Sequence, residues 1–326
     1  MTEPGSNVRV AVTIANKRIA RYPFVSTLSG GERVSRRKIN RKETIAGYLF
    51  LAPNMVGFLV FMVFPLVGSL LLSFSHWNLI QSPTFAGLDN YRQLFENPLF
   101  WQSLKNTAYF AFVGVPLQII LGLFLAVLLY SNIKGLEFFR TVYFLPVVSS
   151  TVAVSLMWQW LFDSHTGLLN HVLGWFGINP VPWLVSPKWA MPSVILVALW
   201  KGIGYNMVIF LAALKGVPEH LYESARIDGA NRWQQFWNIT FPMISPSTFF
   251  VTITSIINSF QVFDVTTVLT GGGPANATHT IVMMIYQYAF DFFRMGYASS
   301  IAYVLFGIVL IFTLLQLYFS KKWVHY

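Results

Sequence analysis

Residues 218–246 read PEHLYESARIDGANRWQQFWNITFPMISP, a polar island between two long apolar runs. Pro218 suits a first helical position, where its missing N–H costs nothing, and Glu219 complements the positive end of a helix. Leu221, Ala225 and Asp228 then share one helical face, with Tyr222 and Arg226 beside it. Gly229 supplies a backbone able to turn sharply. From Asn231 onward a second helix carries Trp233, Phe236, Trp237 and Phe241 on one aromatic face. Pro242 and Pro246 punctuate the entry into the next apolar run. On physics alone these residues fit an amphipathic cytoplasmic loop that lies on lipid headgroups.

The surrounding chain is built for a membrane. Of its 326 residues 55% are hydrophobic and 10% charged, against about 25% charged in soluble domains. It has no cysteine, so disulfides and thiolate metal sites are excluded. The net charge of +10 is not a nucleic-acid footprint, because residues 1–43 carry +7 of it and the other 283 residues only +3. A basic tail ahead of the first apolar run suits an anionic membrane surface, so lipid and not nucleic acid is the expected partner.

That tail, residues 1–43, lacks the apolar core of a secretory leader and reads as a cytoplasmic segment. Within it, residues 8–22 mix apolar and basic side chains and fit either an interfacial helix or a disordered stretch. The remainder, residues 44–326, reads as one all-α domain. Six runs are long enough to cross about 30 Å of hydrocarbon: 45–75, 104–130, 141–162, 189–214, 247–269 and 295–319. Pro53 and Pro65 predict a tilt or kink in the first. A seventh apolar piece, 281–290, is too short and reads as an external or re-entrant helix. With both termini inside, cytoplasmic segments hold 17 Lys/Arg and external ones three, Arg92, Lys188 and Arg294. Six spans therefore satisfy the positive-inside rule. Tryptophans and tyrosines in the external loops read as an interfacial belt or as a docking surface for an external partner.

Catalytic and metal chemistry find no support. No phosphate-cradling glycine loop ends in Gly-Lys-Ser/Thr, and the six histidines are scattered without ligand spacing. Polar side chains inside the apolar runs are more telling. Thr254, Asn258 and Gln261 recur at helical spacing in the fifth run, with Ser255, Ser259 and Asp264 close by. Lys201, Tyr205 and Asn206 form a patch in the fourth. Such groups need partners or a wet cavity, so they line a translocation path or hold helices together.

The loop narrows the reading further. Glu223-Ser224-Ala225, three residues, Gly229, nine residues, then Ile239-Thr240-Phe241-Pro242 resembles the EAA loop of binding-protein-dependent ABC importer permeases. Ser224 stands for the second alanine of that pattern and Phe241 for its leucine. Trp200–Asn206, Tyr222–Gly229, Phe263-Asp264, Thr270–Pro274 and Gly296-Tyr297-Ala298 resemble the carbohydrate branch of the family, from about Ile45 to the C-terminus. The resemblance implies a type I importer permease fold with six transmembrane helices and both termini cytoplasmic, in a bacterial or archaeal inner membrane. It implies that Glu223, Ser224, Ala225, Asp228, Gly229, Ile239 and Pro242 belong to a coupling helix that docks on an ATPase. The expected partners are two ATP-binding subunits holding ATP-Mg, a second homologous permease (a heterodimer is the expected pairing) and an external solute-binding protein. The chain itself carries no cofactor and is not an enzyme on this reading. An ion-gradient-driven transporter is the rival, but it needs intramembrane carboxylates, for which Asp264 and Asp291 are weak candidates.

Overall fold

A computed structural model describes residues 41–130 and 135–323, and these are overwhelmingly helical. The basic tail up to residue 40, its proposed interfacial helix, Lys134 and the last three residues lie outside the described part. Backbone contacts divide the chain after Pro65 into two units. In the first, helix α1 (Ile45–Ser73) begins, and it exposes large apolar side chains such as Phe50 and Phe61, as a lipid-facing surface does. A π-helical turn at Leu59–Val63 precedes Pro65, whose missing N–H breaks the regular ladder there.

The second unit, from Leu66 on, holds the rest. A two-stranded antiparallel pair, β1 (Ser75–His76) with β2 (Thr84–Phe85), leads to α2 (Asp89–Glu96) and the long α3 (Pro98–Tyr130). There follow α4 (Leu136–Val148), α5 (Thr151–Leu161), α6 (Leu168–Trp175) and α7 (Pro187–Lys215). The polar island forms α8 (Glu219–Ile227) and α9 (Arg232–Met243), the latter including a π turn. Then come α10 (Ser245–Phe260), α11 (Asp264–Thr270), α12 (Ile281–Tyr286) and α13 (Met295–Trp323).

Helix α7 is the hub. It packs along α3 on one side and α4 on another, and any side chain at Gly204 would run into the Tyr143 carbonyl of α4. Three apolar clusters fill the unit. One joins Phe100 to Phe260, Met284 and Ile301, a second centres on Phe162, Val194 and Leu269, and the third on Met207, Phe210 and Ile244.

Two predicted spans differ from expectation. Among the described residues four helices, α1, α3, α7 and α13, are long and apolar enough to cross a membrane, and the number reaches six only if two bent pairs are each one span. The run 141–162 breaks into α4 and α5 at 99°. Pro146 removes a helical N–H, and the Ser149 hydroxyl turns back onto the Leu145 carbonyl at 3.0 Å, so the serine pair Ser149-Ser150 ends the helix. The run 247–269 stops being one helix at Phe260. Its N–H groups tighten there into three-residue turns, Gln261 to Asn258 and Val262 to Ser259, before Asp264 starts α11. Helix α10 reaches spanning length only when paired with α9, at a bend of 66°. The piece 281–290 is short, as expected: α12 and a following π turn, with Ile281, Met283 and Met284 buried.

Candidate functional site: a polar cavity and an exposed loop

Where α3, α7 and α10 meet, they line a half-open cavity of about 270 Å³. Gln118 reaches it from α3, Gly202, Tyr205 and Asn206 from α7, and Thr254, Ser255, Asn258 and Ser259 from α10. The helical repeat explains the selection. Positions 198, 202 and 205–206 form one stripe of α7, and 254–255 and 258–259 one stripe of α10. Asn206 is almost wholly buried, and its Nδ2 has no hydrogen-bond partner among the described residues. The Thr254 hydroxyl donates to its own helix, at Phe250 O, 2.9 Å away. The wall thus offers amide donors and acceptors with little internal pairing, a surface suited to a hydroxylated solute.

Four of the seven residues expected on a solute path, Tyr205, Asn206, Thr254 and Asn258, come together here. Three do not. Gln261 falls in the break after α10 and Asp264 opens α11 beyond it, both exposed and off the cavity wall. Lys201 points elsewhere: its Nζ donates to Val147 O at 3.4 Å, in the last turn of α4. The break at Ser149 leaves the negative end of α4 open there, and a lysine cation is a natural complement to it. Gln118 was not singled out from the sequence, although it is the one amide side chain between Asn106 and Tyr130, an available signal in an apolar run.

The loop adopts the bent two-helix form. Helix α8 buries none of its residues, leaving Glu223, Ser224 and Asp228 exposed. Gly229 takes φ +80°, and no atom would crowd a β-carbon there, so its glycine requirement is purely a backbone one. Ala230 N donates to Ala225 O at 2.9 Å, closing the end of α8. Asn231 and Gln234 form a reciprocal capping box at the start of α9. The two helices are pinned by Tyr222 and Thr240, whose hydroxyls lie 2.8 Å apart. Ala225, Ile239 and Pro242 are half-buried on the inner side. Trp233, Phe236, Trp237 and Phe241 form one aromatic cluster, mostly in edge-on and tilted contacts, with ring centroids 5.3–6.5 Å apart. Behind the loop a groove of about 1200 Å³ is bordered by Arg140, Lys215, Arg226 and Arg232, with Glu219 opposing them. Among the described residues no three His, Asp or Glu side chains gather as a metal site would require.

Comparison with known proteins agrees with this architecture. Residues 118–325 match the family described as binding-protein-dependent transport system inner membrane component. A probable ABC transporter permease of Bacillus subtilis (strain 168), YesP, is 38% identical over 305 residues, covering 92% of this chain and 98% of the relative. The lactose transport system permease LacF of Rhizobium radiobacter is 38% identical, covering 88% and 98% respectively. Among solved structures, a chain of a bacterial ABC transporter involved in import of the acidic polysaccharide alginate matches with a TM-score of 0.76 at 25% identity, over 86% of this chain and 96% of that one. A second structure of that kind, with a pentasaccharide-bound periplasmic protein, matches with a TM-score of 0.74 at 26% identity, again over 86% and 96%. With its helical fold, its EAA-type loop and these relatives, the chain belongs to the inner-membrane permease components of binding-protein-dependent ABC transport systems.

Proposed function

We propose that this chain forms half of the translocation pathway of an importer that moves a sugar or oligosaccharide into the cytoplasm by alternating access. The observation that carries the reading is the cavity between α3, α7 and α10, lined by the polar side chains of Gln118, Tyr205, Asn206 and Asn258 amid apolar helices, with Asn206 Nδ2 buried and unpartnered among the described residues. The names of the relatives, among them lactose, trehalose/maltose and arabinooligosaccharide systems, support a saccharide as the solute. ATP is hydrolysed on two partner subunits, a second permease completes the pore, and an external binding protein delivers the solute. Six spans with both termini inside make this arrangement consistent with the charge distribution.

The exposed loop then docks on an ATPase subunit through Glu223, Ser224, Ala225, Asp228 and Gly229, with Ile239 and Pro242 bracing it from within. A pinned, bent helix pair transmits a rigid-body displacement without absorbing it. The test is copurification of the chain with its partner subunits, followed by reconstitution and uptake of radiolabelled saccharides. ATP-dependent accumulation of a saccharide supports the proposal. Uptake driven by an ion gradient without nucleotide overturns it in favour of a secondary transporter.

A further inference from the structure

A second polar pocket, of about 230 Å³, lies at the opposite end of α3 from the exposed loop. Trp77, Asn78, Gln81, Asn90, Arg294 and Tyr297 line it. It sits where the turn after α1 and the start of α2 meet the connection into α13. At about 30 Å³ per water it holds roughly the volume of one sugar ring.

The pocket is preformed. Met295 N donates to Trp77 O at 2.9 Å, and Gly296 lies so close to the Ser75 carbonyl that no side chain would fit between them. Asn90 is buried, and its Nδ2 donates to both Ser73 O and Ser75 O, each at 2.9 Å. Those two bonds fix the amide, so the atom left over is the acceptor: Oδ1 is buried without a partner.

Arg294 supplies the complementary chemistry. Its guanidinium lies over the Tyr297 ring at 4.7 Å and donates from Nη2 to Gln93 Oε1 at 2.7 Å. Among the described residues no carboxylate pairs with it. It is therefore a positioned donor with hydrogen-bonding capacity to spare. Trp77, half-buried at the pocket wall, offers an aromatic face whose negative quadrupole attracts the polarised C–H groups of a sugar ring. His76, on the rim, is already engaged with Asp89 at 3.2 Å.

A guanidinium with donors that want oxygen, the polar side chains of Asn78 and Gln81, and the Trp77 indole in a ring-sized space are jointly met by a saccharide. We infer that this pocket is an outer-end subsite that holds one ring of the transported saccharide before it reaches the cavity between α3, α7 and α10. The inference rests on the saccharide reading above and adds a second binding place to it.

The test uses the chain copurified with its partner subunits in lipid nanodiscs. Diazirine-tagged neutral hexose trisaccharide and its uronate counterpart are photolysed on it, and adducts are mapped by peptide mass spectrometry. Adducts are expected on peptides containing Trp77 or Arg294 as well as on those lining the deeper cavity. Trp77→Leu and Arg294→Gln should each lower the outer adducts by about fivefold or more, the effect of losing one good contact, and leave the deeper adducts unchanged. Deeper adducts alone overturn the outer subsite while the saccharide reading stands. No adducts at either place overturn both. Outer adducts that neither variant reduces overturn the subsite as non-specific labelling. Variants that keep the adducts yet lose the external binding protein reassign the pocket to that protein.

Discussion

Gly122 on α3 and Asn206 on α7 meet where the two helices cross, and a β-carbon on Gly122 would stand 2.8 Å from Asn206 Cβ and 3.5 Å from its carbonyl carbon. The missing side chain is what lets the helices approach closely enough for Asn206 to be buried beside the cavity. Gly122→Ala should therefore cost about 1–3 kcal/mol by overpacking, and Gly122→Val more. Thermal unfolding of the purified chain in detergent measures it; an unchanged melting temperature for both variants would remove the crossing from the account.

Asn258 and Gln261, one helical turn apart in sequence, should behave differently. Asn258 lines the cavity, whereas Gln261 lies in the break after α10, off the cavity wall. Asn258→Ala is expected to lower uptake several-fold, the equivalent of one hydrogen bond at about 0.5–1.5 kcal/mol, with assembly and basal ATPase preserved. Gln261→Ala should stay close to wild type. Equal losses in both variants, or failure of Asn258→Ala to assemble, would favour helix cohesion over solute contact.

In the loop, Gly229→Val forces a β-branched residue into φ +80°, at a cost of about 1–2 kcal/mol. Glu223→Lys reverses an exposed charge. Because both sites lie outside the packed helices, membrane insertion should be normal, while attachment of the ATPase or solute-stimulated hydrolysis drops. Copurification and hydrolysis assays in vesicles read the result. Full attachment, hydrolysis and uptake in both variants would leave the loop as a mere connector.

Topology is accessible because the chain has no native cysteine. Single cysteines at Asn231 and Lys322 should resist a membrane-impermeant maleimide added from outside, and one at Ala275 should react. External labelling at Lys322 would break the six-span arrangement.

His279 predicts a pH response. It is buried in the connection between α11 and α12, with Nδ1 2.7 Å from Ser103 Oγ and Nε2 2.9 Å from Gln287 Oε1. Burial holds its pKa below the ordinary 6.5, and the Gln287 contact opposes this only in part. The opened state thus takes up the proton first as pH falls. Stability supplied by neutral His279 is complete above 6.5 and is lost as pH falls through the depressed native value. Hydrogen exchange at residues 276–280, corrected for intrinsic rate, should rise between about pH 7.5 and pH 5.5, and His279→Gln should flatten the rise.

The sequence by itself determined that this is a polytopic helical chain, and it located the loop. Hydropathy over some twenty residues and the order Glu223, Gly229, Pro242 are local properties, and local chemistry, a backbone needing positive φ and a cap at Asn231, builds the same bend wherever the loop sits. Helical spacing also named Asn258 and Thr254, because a polar stripe must turn away from lipid. Only the tertiary structure decided which stripe members share a cavity. Periodicity carries no information about where a helix stops, so Gln261 and Asp264 were extrapolated onto a face that ends at Phe260. Lys201 is diverted because α4 breaks at Ser149 and opens a negative helix end within its reach, a partner distant in sequence. Gln118 and Gly122 on α3 acquire their roles only through the crossing with α7. What a polar side chain in a membrane does depends on what faces it across the helix interface, and that is fixed by packing between segments distant in the chain.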